Sequence, residues 1–566
     1  MFLLLAAAPL KVVYNTFEGT MSNAGGRPSD FGPPSFPRSQ SPKNVYTIQP
    51  QKQSAVVQQP KKFAKVEVSN ACIHLGPEPI FITCPSCFHV VFSFFAIVLI
   101  ASTVYDISAN HFGKEPNKLF IAFSAYTNGA KLFDVKKNTN PNVISCIDGL
   151  RSLSTLWIMF GHRTFFFTID KLIPVKNPGV FRDYYNHFYS TIFTAHNLAV
   201  DTFFVMGALL LTISVLNALD KKKLNIPRMI WHRYLRYTPV LAVLVLFLDS
   251  LGDSLVLGPM DSPETACVKY WWSTLLHIQN YVNVDDLCIP HSWYLSADFQ
   301  LFILSPFLIY PAWKHGWKYL WSLPVLGLMS SVYVLVISFV KEFRLKPKNF
   351  RLLQEYRAHA YYVTHSRFGP WILGILLGYV LYTTKNKKIV ISKTLNAVLW
   401  ILSLIVLVVV VLLRQPFNVP GELVDLSFSA FYIAFHRVVW GIAICWVIFA
   451  CYKLKTGGIV RWFLSLPQWQ PIARMSLSIY LSHPIYMLAK ARFNRDVLTF
   501  NLWNLFHIFS GDILVTLVIS TYLYLTFEVP FMLVERYFYE KRKLQRSKIE
   551  ASNQLTIAPA LQNTYF

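Results

Sequence analysis

From Phe88 onward the sequence is a succession of apolar runs of about 20 residues, separated by short polar connections. A run of that length matches the roughly 30 Å hydrocarbon layer of a bilayer when it is helical, and lipid offers no partner to backbone groups left unpaired by other conformations. Eleven such runs centre near residues 88–107, 149–168, 199–218, 237–257, 292–312, 318–340, 369–384, 394–413, 432–452, 471–490 and 511–535. The run at 369–384 is short, and that at 237–257 contains Asp249 and Asp253. The predicted fold is therefore all-α: a polytopic integral membrane helical bundle with about ten to eleven transmembrane helices.

Composition agrees, with 54% hydrophobic and only 14% charged residues, against roughly a quarter charged in soluble domains. The net charge of +24 does not point to nucleic acid, because the Lys and Arg lie between apolar runs and no basic soluble domain or motif is present. The expected partner is the lipid bilayer, whether an endomembrane or the plasma membrane, and no protein partner is evident. The connection at 219–236 carries Lys221, Lys222, Lys223, Arg228, Arg233 and Arg236 against Asp220 alone, and that at 385–393 carries Lys385, Lys387, Lys388 and Lys393 without an acid. Both are expected to face the cytosol. Alternation places the C-terminus there too. Two features run against this topology: the loop at 341–368 holds seven Lys and Arg yet falls on the opposite side, and eleven spans put the basic N-terminal tail outside.

Residues 1–87 form a tail of another kind, with seven prolines between Gly25 and Pro60 among Ser and Gln, a composition that cannot offset the cost of ordering. Its opening run, Met1 to Leu10, is too short to span and lacks a basic flank, so a cleaved leader is not expected. The expected division is a disordered tail (1–87), an extra transmembrane helix with its linker (88–140), a transmembrane core (141–540) and a basic cytosolic tail (541–566).

Cys267 and Cys288 share one connection and are expected to pair, which requires that loop to face an oxidising compartment. Cys445 and Cys451 read as packing residues. Cys72, His74, Cys84 and Cys87 loosely resemble a metal spacing but lack a paired knuckle, so no metal site is expected.

Ionisable residues inside a span cost roughly 2.5–3.5 kcal/mol each on insertion scales, so those present invite a functional reading. Asp148, Arg151 and His162 share one apolar run; Arg151 and His162 are eleven positions apart, which returns them to one helix face about 16 Å apart along the axis. A neutral imidazole can take a proton from an acceptor hydroxyl as acyl transfer begins, although a lone span histidine also serves simply as a packing group. Arg233 and Arg236, at i and i+3, present two forks that suit phosphate oxygens, as in a coenzyme A thioester, or alternatively lipid headgroups. Asp201 and Asp298 either orient a histidine or pair structurally with arginine. His483 in one late run and Glu528 and Glu535 in the last either line a cavity or tie helices together, and His436 with Arg437 is a further buried basic pair.

In order along the chain stand Asp148-Gly149-Leu150-Arg151 with Gly161-His162, Val200-Asp201-Thr202-Phe203-Phe204, Arg233-x-x-Arg236, Trp293-Tyr294-Leu295-x-x-Asp298-x-Gln300, Ser476-x-x-x-Tyr480-Leu481-x-His483-Pro484 and Glu528-x-Pro530. This series, over residues 140 to 540, resembles the acyltransferase 3 family, and within it the invertebrate "nose resistant to fluoxetine" branch. The resemblance implies an integral-membrane O-acyltransferase, moving an acyl group from a cytosolic thioester such as acyl-CoA to a hydroxyl acceptor, with no bound cofactor. It implies His162 as the catalytic base, Arg151 assisting charge and Asp148 as a further catalytic residue, Arg233 and Arg236 as donor-binding residues, and Asp201, Asp298, His483 and Glu528 in support. The rival is a non-enzymatic carrier of lipid or another hydrophobic molecule. Where the family pattern continues after Phe203-Phe204 toward Ser-Gly, this chain reads Val205-Met206-Gly207-Ala208 and loses a hydroxyl. A cysteine-rich lumenal domain that precedes the first motif in many animal members is missing or reduced to the Pro/Gln-rich tail.

Overall fold

Inside a bilayer each apolar run has to satisfy its backbone within itself, which forces helix wherever the sequence is continuously apolar. A computed structural model describes residues 85–136, 140, 143–168, 175–255, 263–344, 349–417, 424–493 and 497–562. The tail expected at 1–87, with Cys72, His74 and Cys84, lies almost wholly outside the described residues. Among those described there is no β-strand, only an isolated bridge between Val175 and Leu498. The principal helices are α1 (Pro85–His111), α2 (Ala125–Phe133), α3 (Cys146–Thr168), α4 (Leu198–Asp220), α5 (Ile226–Leu255), α6 (Pro263–Leu275) and α7 (Trp293–His315). They continue as α8 (Leu323–Val340), α9 (Phe368–Thr383), α10 (Lys393–Leu412), α11 (Leu426–Phe449), α12 (Ser476–Phe493), α13 (Leu502–Leu523) and α14 (Val529–Gln562). Several starts are capped by side chains, as at α10, α11 and α13, where Ser392, Asp425 and Asn501 accept from the amides of Leu395, Phe428 and Asn504.

Seven helical stretches among the described residues, from His89–His111 to Leu502–Gln545, are long and apolar enough to cross a membrane. The chain is thus a multi-pass membrane protein. The other four expected runs fold as α3, α5, α9 and α12. Helix α9 has 16 residues and is about 24 Å long, while α3, α5 and α12 are diluted by the ionisable residues noted above.

Helix α4 sits at the centre, 72% buried along its apolar stretch, whereas α1 and α10 are 11% and 22% buried and expose Ile97, Ile100, Ile401 and Ile405 where lipid would lie. Helix α4 touches α3, α7, α9 and α11. Its closest neighbour is α9, because Gly374 and Gly378 face it: a Cβ there would lie 2.4 Å from the Val205 carbonyl oxygen and 2.8 Å from that of Leu209. This is a small-xxx-small contact of the kind that brings helix backbones together in lipid. Buried ion pairs fasten further helices. Asp201 of α4 holds Arg367, just before α9, at 2.9 Å, and Asp512 of α13 takes both Arg163 of α3, at 2.5 Å, and Lys490 of α12, at 2.9 Å.

One end of the bundle gathers the C-terminal ends of α4, α7, α9 and α11. Asp220 accepts from Trp313 at 3.0 Å and from the Tyr382 hydroxyl, and the Lys453 ammonium reaches the Lys385 carbonyl at 3.2 Å. With Lys221 to Lys223 adjoining, this is the basic end. The contrary charge at 341–368 is partly absorbed by the fold: Arg367 lies inside against Asp201, while Lys341 and Arg351 share Glu355 at 3.1 and 3.3 Å. Cys267 and Cys288 are joined in a disulfide. Helix α13 continues through a π-helical turn, Tyr524–Glu528, into α14. Pro530 lacks the amide that would meet the Thr526 carbonyl, which favours such a turn. The basic residues from Lys541 continue α14.

Removing one partner of a buried pair costs about 3–5 kcal/mol, because the other charge is left without compensation. Asp512→Ala is expected to lower the thermal unfolding midpoint in detergent strongly, and Lys490→Met much less, since Lys490 is 37% exposed and Arg163 keeps the carboxylate. Equal shifts for the two variants would show that Asp512 does not act through Arg163.

Candidate active site

Helix α5 begins at the basic end with Arg228, His232, Arg233 and Arg236 on its first turns; Arg228, His232 and Arg236 recur every four positions along one flank, and Arg233 precedes Arg236 by three. Each guanidinium meets an acid from another helix. Arg233 pairs with Asp298 of α7, which also accepts from the Tyr237 hydroxyl at 2.8 Å, and lies 4.2 Å over the Phe302 ring. Arg236 stands 3.6 Å from Glu528, whose other oxygen accepts from Ser478 of α12 at 2.7 Å. Arg228 and His232 share Glu535 at 3.4 and 3.2 Å. The acids left open by the sequence thus have positions: Asp298 and Glu528 steady the two motif arginines, while Asp201, bonded to Arg367, lies outside this group.

Arg228, His232, Arg233, Arg236, Tyr237 and Asp298 line a cavity of about 640 Å³ bounded by α3, α4, α5, α7, α12 and α14. Along α4 it runs from Ala218 to Phe203, about 22 Å, beginning near Lys223 at the basic end and reaching Tyr294 and Tyr480. Arg151 of α3 lines it too, and among the described residues no carboxylate lies within 4 Å of Arg151. Five Lys and Arg side chains line the cavity and three carboxylates pair with them, so it carries excess positive charge. Met206 and Gly207, at the departure from the Ser-Gly pattern, also form its wall.

One helical turn beyond the two tyrosines, four imidazoles come together. His291 precedes Tyr294 by three positions and His483 follows Tyr480 by three. His162 Nδ1 lies 2.9 Å from His483 Nε2, with the rings stacked at 5.1 Å. His196 meets His162 edge-on at 5.3 Å, and His291 lies 6.2 Å from His483. Gly161 permits this approach: a Cβ there would stand 2.0 Å from the His196 ring. Main-chain carbonyls anchor three of the four, Phe193 for His196 at 2.8 Å, Leu481 for His291 at 3.0 Å and Ile479 for His483 at 2.8 Å.

The structure brings together Arg151, Arg233, Arg236, Asp298 and, behind them, Glu528; deeper in, it joins His162 and His483. Arg151, expected to assist His162, stands about three turns of α3 from it, the separation that the sequence gives, and lines the cavity with Arg233 and Arg236. Asp148, expected among the catalytic residues, is fourteen positions before His162 on the same helix, about 21 Å along its axis, and lines a separate cavity of about 690 Å³ with Cys146, Cys451, Lys455 and Arg461. There the chain at Leu464 packs on Gly149, where a Cβ would stand 2.3 Å from the Leu464 carbonyl oxygen. His196 and His291 were not singled out by sequence. His291 was legible in principle, one turn before Tyr294 near the start of the same helix, but His196 lies in a short segment before α4 with no periodic signal.

Residues 144–525 match the acyltransferase domain family, a span containing every residue that lines the cavity except Met532 and Tyr539, and all four histidines of the cluster. The chain is 28% identical over 402 residues to "Nose resistant to fluoxetine protein 6" of Caenorhabditis elegans, covering 65% of this chain and 48% of that protein. It is 22% identical over 275 residues to "Regulator of hypoxia-inducible factor 1" of the same organism, covering 44% of this chain and 53% of that one. The matches span about half the length of these relatives. No solved structure matches.

The Gly161 contact gives a direct test of the histidine packing. Gly161→Ala is expected to displace His196 and destabilise the protein by about 1–3 kcal/mol, read as a lower unfolding midpoint in detergent. Adding His196→Ala should recover part of that loss, a non-additivity reserved for residues in contact; strict additivity of the two changes would contradict the packing.

Proposed function

Because the chain belongs to the acyltransferase 3 family, we propose that it is a membrane O-acyltransferase that draws its acyl group from an anionic thioester and delivers it to a hydroxyl beside His162. The observation that carries this reading is the pairing of two sites: a cavity with unbalanced positive charge at the basic end, and, one turn beyond its inner limit, a histidine able to accept a proton. In this reading Arg151, Arg233 and Arg236 hold the phosphates of a coenzyme A thioester entering from the cytosol, and the acyl arm extends inward past Tyr294 and Tyr480.

The chemistry is a single exchange. His162 removes the acceptor hydroxyl proton as its oxygen attacks the thioester carbonyl carbon, forming the C–O bond. The tetrahedral intermediate collapses by breaking the C–S bond, and the departing thiolate takes the proton back from His162. Ester and free thiol result, and the histidine is restored. The arginines act on binding alone, since Arg151 is about 16 Å along α3 from His162. Asp298 and Glu528 keep the guanidiniums aimed without cancelling their charge toward a ligand, because each arginine has more donors than one carboxylate uses.

Purified protein in detergent, offered radiolabelled acyl-CoA and candidate hydroxyl acceptors, tests the reading. Arg233→Ala with Arg236→Ala is expected to weaken donor binding on the order of 100-fold, as loss of two charge-assisted contacts implies, and unchanged affinity would remove the donor site. His162→Ala is expected to abolish transfer while leaving donor affinity intact. If the wild-type protein neither transfers nor hydrolyses the acyl group, and ligand still binds to His162→Ala, the protein is a carrier and the enzymatic reading falls.

A further inference from the structure

The four imidazoles differ in what fixes them. His196, His291 and His483 each donate to a main-chain carbonyl, while among the described residues the hydrogen bond formed by His162 is to another histidine. No carboxylate lies within 4 Å of any of the four among the described residues. The acid that usually orients a catalytic histidine is therefore lacking in this cluster, and its place at His162 Nδ1 is taken by His483 Nε2 at 2.9 Å.

We infer that His483 is the positioning residue of the site, fixing His162 in the tautomer that presents an unprotonated Nε2 to the acceptor hydroxyl. The inference rests on the acyltransferase reading for its consequence but on hydrogen-bond logic for its content. A carbonyl oxygen can only accept, so the Ile479 carbonyl at 2.8 Å requires a proton on His483 Nδ1. A neutral imidazole protonated at Nδ1 has its lone pair at Nε2. Two lone pairs do not face each other at 2.9 Å, so His162 Nδ1 carries the proton of that bond. The remaining nitrogen of His162, Nε2, is then the basic one. The chain reads Ile479 C=O, H–Nδ1 of His483, Nε2 of His483, H–Nδ1 of His162, and every link is a donor facing an acceptor.

Two consequences follow for the reaction. Before it, the ring is held in one tautomer, so its lone pair is available without rearrangement. During it, the proton taken by His162 Nε2 makes the ring cationic, and the bond from Nδ1–H to His483 strengthens as a charge-assisted one. His483 neither touches the substrate nor exchanges a proton with it. Its own orientation is set by α12, where Ile479 lies one turn earlier on the same helix, so the carbonyl and the imidazole are carried as one rigid unit. Gly161 and His196 close the other side of the His162 ring, which leaves it little freedom to turn over.

The test compares His483→Gln, whose amide oxygen can accept from His162 Nδ1–H, with His483→Leu, which has no acceptor. Both are first shown to be folded by size exclusion and thermal unfolding. His483→Leu is expected to lower kcat about 100-fold with the donor KM unchanged, while His483→Gln keeps kcat within about tenfold of wild type. Equal losses in the two variants, or no loss in either, would overturn the proposal, as would a loss confined to KM. A second readout does not depend on acyl transfer: diethyl pyrocarbonate attacks an unprotonated imidazole nitrogen, and the modified peptide is counted by mass spectrometry. His162 should react several-fold more slowly in His483→Leu than in wild type or His483→Gln. If the wild-type protein shows no transfer but this pattern appears, the acyltransferase reading fails and the tautomer assignment stands; an unchanged rate in His483→Leu sinks the assignment itself.

Discussion

A charge inside a membrane bundle needs an opposite charge or an aligned dipole, supplied by another helix. Much of the architecture follows from meeting that demand. Asp298 answers Arg233 across α5 and α7, and Glu528 answers Arg236 from the turn between α13 and α14. Asp201 answers Arg367 between α4 and α9, and Asp512 answers Arg163 and Lys490 among α3, α12 and α13. These acids hold cations in place, and the cations in turn fix where helices meet. What they leave over defines the site: Arg151, with no carboxylate within 4 Å among the described residues, and a group of imidazoles bonded to carbonyls and to one another.

The same demand explains which parts of the molecule were legible from sequence. The runs that became α1, α7, α10 and α11 were readable because continuous apolarity leaves a bilayer-spanning chain no other regular form. Helices α3, α5 and α12 were less plainly spans, and they carry Arg151 and His162, Arg233 and Arg236, and His483. The stretches least suited to lipid are the ones that furnish the chemistry. Residue types and spacings thus pointed to the site, but pairings did not: Arg367 lies 166 positions from Asp201, and His483 lies 321 from His162. Helical periodicity says which residues share a face and nothing about what covers it. Asp148 shows the consequence: the shared run placed it on the helix of His162, fourteen positions away, and only the fold shows the separate cavity that it lines with Cys451, Lys455 and Arg461.

Within the bundle the fixed geometry of α3 sets a length. Arg151 and His162 lie on one rigid helix, so the separation of anion site and base, about 16 Å along the axis, cannot change unless that helix breaks. A small anion at the arginines does not reach the histidine, and a long apolar molecule without an anionic head has no use for the arginines. In the proposed function the ligand that meets both has an anionic head joined to an extended arm, a description that fits a coenzyme A thioester and an anionic lipid alike.

The arm must also pass the inner limit of the cavity, where Tyr294 and Tyr480 stand with ring centroids 5.4 Å apart. Tyr480 is held there by donating to the His291 carbonyl at 2.6 Å, and His291 itself donates to the Leu481 carbonyl at 3.0 Å. The starts of α7 and α12 are therefore bonded reciprocally around the constriction, each helix gripping the other next to the residue that narrows the passage. A thioester arriving between the two rings would replace ring contacts with its own apolar contacts, while the two hydrogen bonds that keep His291 and His483 in register lie one turn further in. In the proposed reaction the same pair of helices then performs two tasks: the tyrosine turn admits the arm, and the histidine turn beyond it keeps the base aligned while that happens.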